Sequence, residues 1–311
     1  MGNTATKDIS SARLDGKIIF VTGGNTGLGK RTIQNLAALS PTRIYLGART
    51  ASKAQAAITD IQTAVPNACE IVHVPLDLAS FASIQSAASF FTARESRLDI
   101  LMLNAGIMAV PFALTQEGYE TQLGTNHVGH ALLTKLLLPT LLATAALPGA
   151  DVRVVVLSSM GHYMTVSGGL CFDTAKLERE RTTARYGASK LANLLYAREL
   201  AARYPQLTAV SLHPGVILTD LFTAVRANPL QRVGLWLYAL LFPVLPGHFA
   251  GVEGGAMNQT WAAVAEKGEL VSGAYYTPVG QRKKGSKWAQ DEGLAKRLWE
   301  WTEAEFGKHG F

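Results

Sequence analysis

Thr22-Gly23-Gly24-Asn25-Thr26-Gly27-Leu28-Gly29 closes an apolar, β-branched run, Lys17–Thr22, and leads straight into a helical stretch, Gly27–Leu39. Glycines at such a junction permit a tight turn. They also let backbone N–H groups approach a diphosphate, whose negative charge is favoured at a helix N-terminus. Gly23, Asn25, Thr26, Gly27, Leu28 and Gly29 are therefore candidates to bind a dinucleotide, with a purely structural turn as the plain alternative. The spacing Gly-x-x-x-Gly-x-Gly differs from the Gly-x-Gly-x-x-Gly fingerprint. The Lys-Ser/Thr pair that marks the phosphate loop of nucleotide hydrolases is missing.

Outward from this turn the pattern alternates. Arg43–Gly47, Ile71–Pro75, Ile100–Asn104, Arg153–Ser158 and Thr208–His213 read as further strands. Between them Ser52–Val65, Ser80–Arg94, Tyr119–Leu142 and Ala184–Tyr204 read as helices. Strand and helix in alternation imply right-handed crossovers and a parallel sheet covered on both faces. Val154-Val155-Val156-Leu157 suits a central strand buried on both sides. The expectation is α/β: one doubly wound Rossmann-type parallel sheet with helices on both faces and a C-terminal substrate lid, with the ligand crevice at the C-terminal strand ends. A single domain over 1–311 is expected, with residues 1–13 a disordered arm and 221–250 the lid insertion.

Composition agrees with a globular chain. Hydrophobic residues are 48% and charged residues 17%, against roughly 25% usually. The net charge is +6, and the densest basic run, Arg282, Lys283, Lys284 and Lys287, has no interleaved aromatic residues for base stacking, which argues against nucleic acid as a partner. Two cysteines, Cys69 and Cys171, make no disulfide framework and point to a reducing, cytoplasmic setting. No apolar export signal opens the chain. From Val233 to Val252 there is no Asp, Glu, Lys or Arg, but Gly234, Pro243, Pro246 and Gly247 interrupt it, so a membrane span is not expected. Its apolar part, Leu235–Phe242, is expected to close over the substrate. Contact with a membrane surface or with a second copy stays open as an alternative.

The strand ends carry chemistry. Arg49, after the second strand, would attract a ribose 2′-phosphate where an acidic residue would favour the 2′-OH, and Lys53 could add a second cation. NADP(H) is thus the expected cofactor. Asp77-Leu78 after the third strand could hold the adenine, or Asp77 could belong to a capping turn ahead of Ser80. Asn104-Ala105-Gly106 leaves room for a flat ring. Tyr186 and Lys190, four apart on a helix, share a face, and an adjacent ammonium would lower the phenol's pKa from about 10. Ser158-Ser159 ends the preceding strand and offers a hydroxyl to a substrate oxygen.

As a set, Thr22-Gly23-x-x-x-Gly27-x-Gly29, Asn104-Ala105-Gly106, Ser159, Tyr186-x-x-x-Lys190 and His213-Pro214-Gly215 resemble short-chain dehydrogenases/reductases over roughly Leu14 to Asp220. Asn126-His127-x-Gly129-His130 and Tyr186-x-x-Ser189-Lys190-Leu191-Ala192-Asn193 are similar to the retinol-dehydrogenase and WW-domain-oxidoreductase branch, and to fungal natural-product reductases. The resemblance implies that Tyr186 is the acid–base residue, that Lys190 tunes it and binds the nicotinamide ribose, and that Ser159 orients the carbonyl. It implies that Asn126 holds a relay water, that Val216 and Thr219 contact the nicotinamide, and that helices near Tyr119–Leu142 and Ala184–Tyr204 can pair in a homodimer. Ser159 and Tyr186 stand 27 residues apart, farther than usual in the family, so Met160–Thr183 is read as an excursion shaping the pocket. No metal is expected, since His127 and His130 lack a third ligand in view. The implied activity is carbonyl–alcohol interconversion on a hydrophobic small molecule. Non-redox chemistry on the same fold (epimerisation, dehydration, cyclisation) and a non-catalytic nucleotide sensor remain as rivals.

Overall fold

The computed structural model describes residues 12–215 and 251–311. The expected arm up to residue 11, the nicotinamide contacts Val216 and Thr219, and the expected lid with Leu235–Phe242 lie outside the described residues.

Six expected strands form: β1 (Ile18–Thr22), β2 (Arg43–Ala48), β3 (Glu70–Pro75), β4 (Ile100–Leu103), β5 (Arg153–Leu157) and β6 (Thr208–Leu212). Two short strands, β7 (Tyr275–Thr277) and β8 (Gln281–Lys283), extend the sheet beyond the reading from sequence. The order is β3-β2-β1-β4-β5-β6-β7-β8, and every pairing is parallel except β7 with β8. The chain runs outward from β1 in one direction, then returns to β4 and runs in the other. That reversal between β1 and β4 opens a crevice at the C-terminal strand ends.

The interior strands are largely apolar because both faces are covered. β1 sends Ile18 and Phe20 to one face and Ile19 and Val21 to the other, and β5 divides Val154 and Val156 from Val155 and Leu157 in the same way. This is the period of two of an extended chain. Under one face lie α1 (Gly27–Ala37), α2 (Ala51–Ala64) and α8 (Val252–Val264). Under the other lie α3 (Phe81–Thr92), α5 (Gly129–Ala145), α7 (Thr182–Arg203) and α9 (Glu292–Lys308). Each fully buried Leu, Ile, Val or Phe contributes about 1.5–3 kcal/mol. Phe20, Tyr45 and Phe91 add edge and stacked ring contacts, with centroids 4.8–6.3 Å apart.

The helix expected at Tyr119–Leu142 is built in three parts: α4 (Thr121–Leu123), a π-turn (Gly124–Val128) and α5. Taken together, Thr121–Ala145 is long and apolar enough to cross a bilayer, but more than half of it is buried inside the fold. Met160–Thr183 is more ordered than an open excursion: it holds a 3₁₀ turn, Met160–Met164, and α6 (Thr174–Arg179). α9 covers the outer side of α7, where Trp299 stacks on Tyr196 at 5.5 Å and 11°.

Candidate active site

β5 ends at Leu157, followed by Ser158 and Ser159, and α7 brings Tyr186 and Lys190 to the same place on its buried face. Lys190 Nζ donates to the Leu157 carbonyl at 2.9 Å, and Asn193 Nδ2 donates to the same oxygen at 2.9 Å. The two serines divide the work. Ser158 Oγ donates to the Lys190 carbonyl at 2.7 Å, which fastens α7 to the sheet. The Ser159 hydroxyl instead accepts from Gly161 N at 3.0 Å and stands beside Tyr186: a Cβ on Gly161 would lie 3.4 Å from Ser159 Oγ and 2.7 Å from Tyr186 Cε1.

The expected direction of the Tyr186 pKa is reversed. Burial holds the phenol up at about 12, with the Ser159 hydroxyl pulling the other way. The same burial pushes the Lys190 ammonium down to about 8. Nζ lies 6.0 Å from the Tyr186 ring centroid and is engaged by Leu157, while desolvation opposes both charged forms. Tyr186 is therefore a firmly protonated donor at neutral pH.

Asn126 stands in the π-turn with its amide fully used. Its Oδ1 accepts from Ile107 N at 2.8 Å, and its Nδ2 donates to Ile107 O at 3.0 Å and to Ser189 Oγ at 2.9 Å. Ser189 Oγ donates in turn to the Tyr186 carbonyl at 2.8 Å. A Cβ on Gly106 would stand 3.2 Å from Asn126 Oδ1 and 3.3 Å from Lys190 Nζ, so a side chain there would crowd the point where the two converge. The Asn126 carbonyl accepts from His130 Nδ1 at 2.9 Å. Nε2 is thus the acceptor for Thr22 Oγ1 at 2.8 Å, and Thr22 Oγ1 accepts from Ala105 N at 3.0 Å. Burial holds His130 down at about 3, so the ring is neutral. These bonds join the glycine-rich turn, Ala105 and Asn126 in one network.

On the other side of the crevice, Asn104 Nδ2 donates to Thr22 O at 2.8 Å, and its Oδ1 accepts from Gln259 Nε2 of α8 at 3.1 Å. Gln259 also donates to Thr32 of α1. Nothing local in the sequence marks Gln259, which lies 155 residues from Asn104. α1 has neither a side-chain cap at Thr26 nor an acidic residue in its first turn, so its N-terminal amides suit an anion. Arg49 and Lys53 are exposed at the end of β2 and the start of α2, with no ion-pair partner among the described residues. Asp77 takes its capping role: Oδ1 accepts from Ala79 N at 3.0 Å, while Ser80 Oγ caps α3. Leu78 is buried in the core beneath α3. Beside Tyr186, Arg185 and Glu120 form a buried ion pair at 3.1 Å, locking α7 to α4.

The residues fit a nicotinamide dinucleotide: uncapped helix amides for a diphosphate, exposed cations near the expected adenosine ribose, and a lysine converging with Asn126 by Gly106. Among the described residues no group of three or more His, Cys, Asp or Glu is gathered as a ligand set. His127 Nε2 pairs with Thr302 Oγ1 of α9 at 3.1 Å.

A family description, short chain dehydrogenase, matches residues 17–230. The chain belongs to that family. A short-chain dehydrogenase/reductase from Armillaria gallica is 38% identical over 298 residues, covering 94% of this chain and 91% of the relative. Retinol dehydrogenase 12 of Mus musculus is 36% identical over 293 residues, covering 94% and 86%. Among solved structures, an uncharacterized protein from Mycobacterium paratuberculosis superposes with a TM-score of 0.69 at 29% identity, covering 95% and 96%. This short-chain dehydrogenase stands in the retinol-dehydrogenase-like branch and is an oxidoreductase working between alcohols and carbonyls.

Proposed function

We propose that the protein is an NADP(H)-dependent reductase that interconverts a carbonyl and a primary or secondary alcohol on a hydrophobic small molecule. The observation that carries this reading is that the Ser159 and Tyr186 side chains crowd the same point at Gly161, beside a lysine held at the end of β5. A nicotinamide bound there would supply a hydride to a carbonyl carbon. Ser159 Oγ orients the carbonyl oxygen, and the Tyr186 hydroxyl gives that oxygen its proton. Lys190 would hold the ribose hydroxyls of that cofactor, and with Asn126 it would return a proton from solvent to the Tyr186 oxygen. In the oxidation the same groups take the proton away.

Arg49 and Lys53 support NADP(H) over NAD(H), because a guanidinium makes a charge-assisted contact with a 2′-phosphate that a ribose hydroxyl cannot match. The hydrophobic substrate class is supported by the resemblance to retinol dehydrogenase 12. The test is loss of reduced-nicotinamide absorbance with NADPH against decanal, nitrobenzaldehyde and cyclohexanone. Turnover of at least one with NADPH, faster than with NADH, is expected; no consumption of either nucleotide across the panel would overturn the reading.

A further inference from the structure

Ser159 is the first residue beyond the hydrogen-bonded ladder of β5: Ser158 N still donates to Leu212 O, while Ser159 has left the sheet with φ −160 and ψ 156. A hydroxyl that must meet a carbonyl oxygen within a fraction of an ångström needs some other anchor. His162 provides one. Its Nδ1 lies 2.6 Å from the Ser159 carbonyl, and its backbone N–H reaches the same oxygen at 3.1 Å. A carbonyl only accepts, so the ring proton is on Nδ1 and Nε2 is left as the acceptor, which Ser286 N fills at 3.0 Å. The ring is fully buried, with the Tyr163 and Tyr275 rings 4.3 and 5.2 Å away between centroids. Ser286 is fixed too, since it heads a short turn in which its Oγ accepts from Ala289 N at 3.3 Å. The turn bearing His162 presses on the reacting group itself, for a Cβ on Gly161 would lie 2.7 Å from Tyr186 Cε1.

We propose that His162 is a positioning residue for the reaction: by joining the Ser159 carbonyl to Ser286 of the C-terminal segment, it holds the Ser159 hydroxyl in register with Tyr186. This rests on reading Ser159 as the group that orients the substrate carbonyl. A neutral imidazole donates at one nitrogen and accepts at the other across a fixed distance, which this bridge requires. Glutamine offers the same two functions on a more flexible stem. Asparagine is too short to bridge, and phenylalanine keeps the ring packing with neither nitrogen.

The test uses the full chain and the fastest carbonyl of the panel above. His162→Phe is expected to lower kcat about tenfold or more, as small misplacements do, while NADPH affinity by protein-fluorescence titration stays within about twofold, since the nucleotide contacts are elsewhere. His162→Gln is expected to recover most of the rate. In a Ser159→Ala background, His162→Phe should cost nothing further, because no hydroxyl remains to be positioned. Multiplying losses in the double variant, a parallel fall in NADPH affinity, or an unchanged kcat in His162→Phe would each overturn the inference. A Ser159→Ala variant as fast as the parent would instead remove the reading of Ser159, and this inference with it. Should His162→Phe fail to fold, His162→Asn against His162→Gln carries the same comparison: equal rates in those two would overturn the inference.

Discussion

The two sides of the crevice are built in opposite ways. The nucleotide side presents exposed cations, Arg49 and Lys53, with no ion-pair partner among the described residues, and a helix N-terminus left without a side-chain cap. The reaction side presents polar groups already engaged within the fold: buried Lys190 on Leu157, buried Asn126 on Ile107 and Ser189, and half-buried Ser159 on Gly161. Exposed charge attracts a ligand at little cost to folding, is screened by salt, and yields modest energies per residue. Buried, satisfied groups cost more to assemble but need not reorganise when the reaction occurs. Substitutions should therefore hurt unequally on the two sides.

The largest effect is expected at Tyr186. Tyr186→Phe removes one hydroxyl, so turnover should fall by about 10² or more while NADPH still binds by fluorescence titration. Near-parental turnover would break the contrast at its centre. Next is the buried pair beside it: Arg185→Met leaves Glu120 uncompensated and should cost about 3–5 kcal/mol in denaturant unfolding. On the open side Arg49→Asp should weaken NADPH about ten- to a hundredfold and reverse the preference toward NADH. Equal affinity of the parent for both nucleotides would remove the role given to Arg49. Lys53→Ala should weaken NADPH only about two- to fivefold, an effect that fades in high salt.

Acid should also separate the two sides. Burial holds the His127 and His130 imidazoles at about 3, below the ordinary 6.5, and pushes His162 downward as well. As pH falls below about 6.5 the unfolded chain takes up protons that the folded chain refuses, so stability declines from there toward pH 3. Melting temperatures should drop through that window. His130→Gln should flatten part of the slope; an unchanged slope would mean that His130 does not carry it.

The sheet was legible because its strands are short apolar runs at a regular spacing, and every strand from β1 to β6 falls within a residue or so of its expected bounds. The Tyr186–Lys190 pair was legible in its spacing of four, Asn104 in its place at the end of the fourth strand, and Asn126 through the family resemblance alone. What escaped was long-range or chemically ambiguous. β7 and β8 are only three residues each, and β8 is wholly exposed, so neither has a pattern to read. Gln259 reaches Asn104 from a helix far along the chain. Asp77 was open between adenine and cap, and only coordinates place its Oδ1 on Ala79 N. That Ser158 Oγ is spent on the Lys190 carbonyl while Ser159 stands beside Tyr186 likewise has no signature in the sequence. The Tyr186 pKa went the other way because a spacing of four places a lysine nearby without revealing that both groups are desolvated. His162, three residues after Ser159, had a signal in its spacing that a search for side-chain partners passes over, since what it binds is a carbonyl of the backbone.

Asn258, beside Gln259 on α8, donates through Nδ2 to the His213 carbonyl at 2.8 Å and accepts from Gly280 N at 3.0 Å. The chain leaves the sheet at His213 and re-enters the described fold at α8, so this amide staples together the two ends of everything between. One side chain thus closes a circuit between the end of β6, α8 and the turn between β7 and β8, so a single truncation unpairs two backbone groups at once: Asn258→Ala should lower the melting temperature.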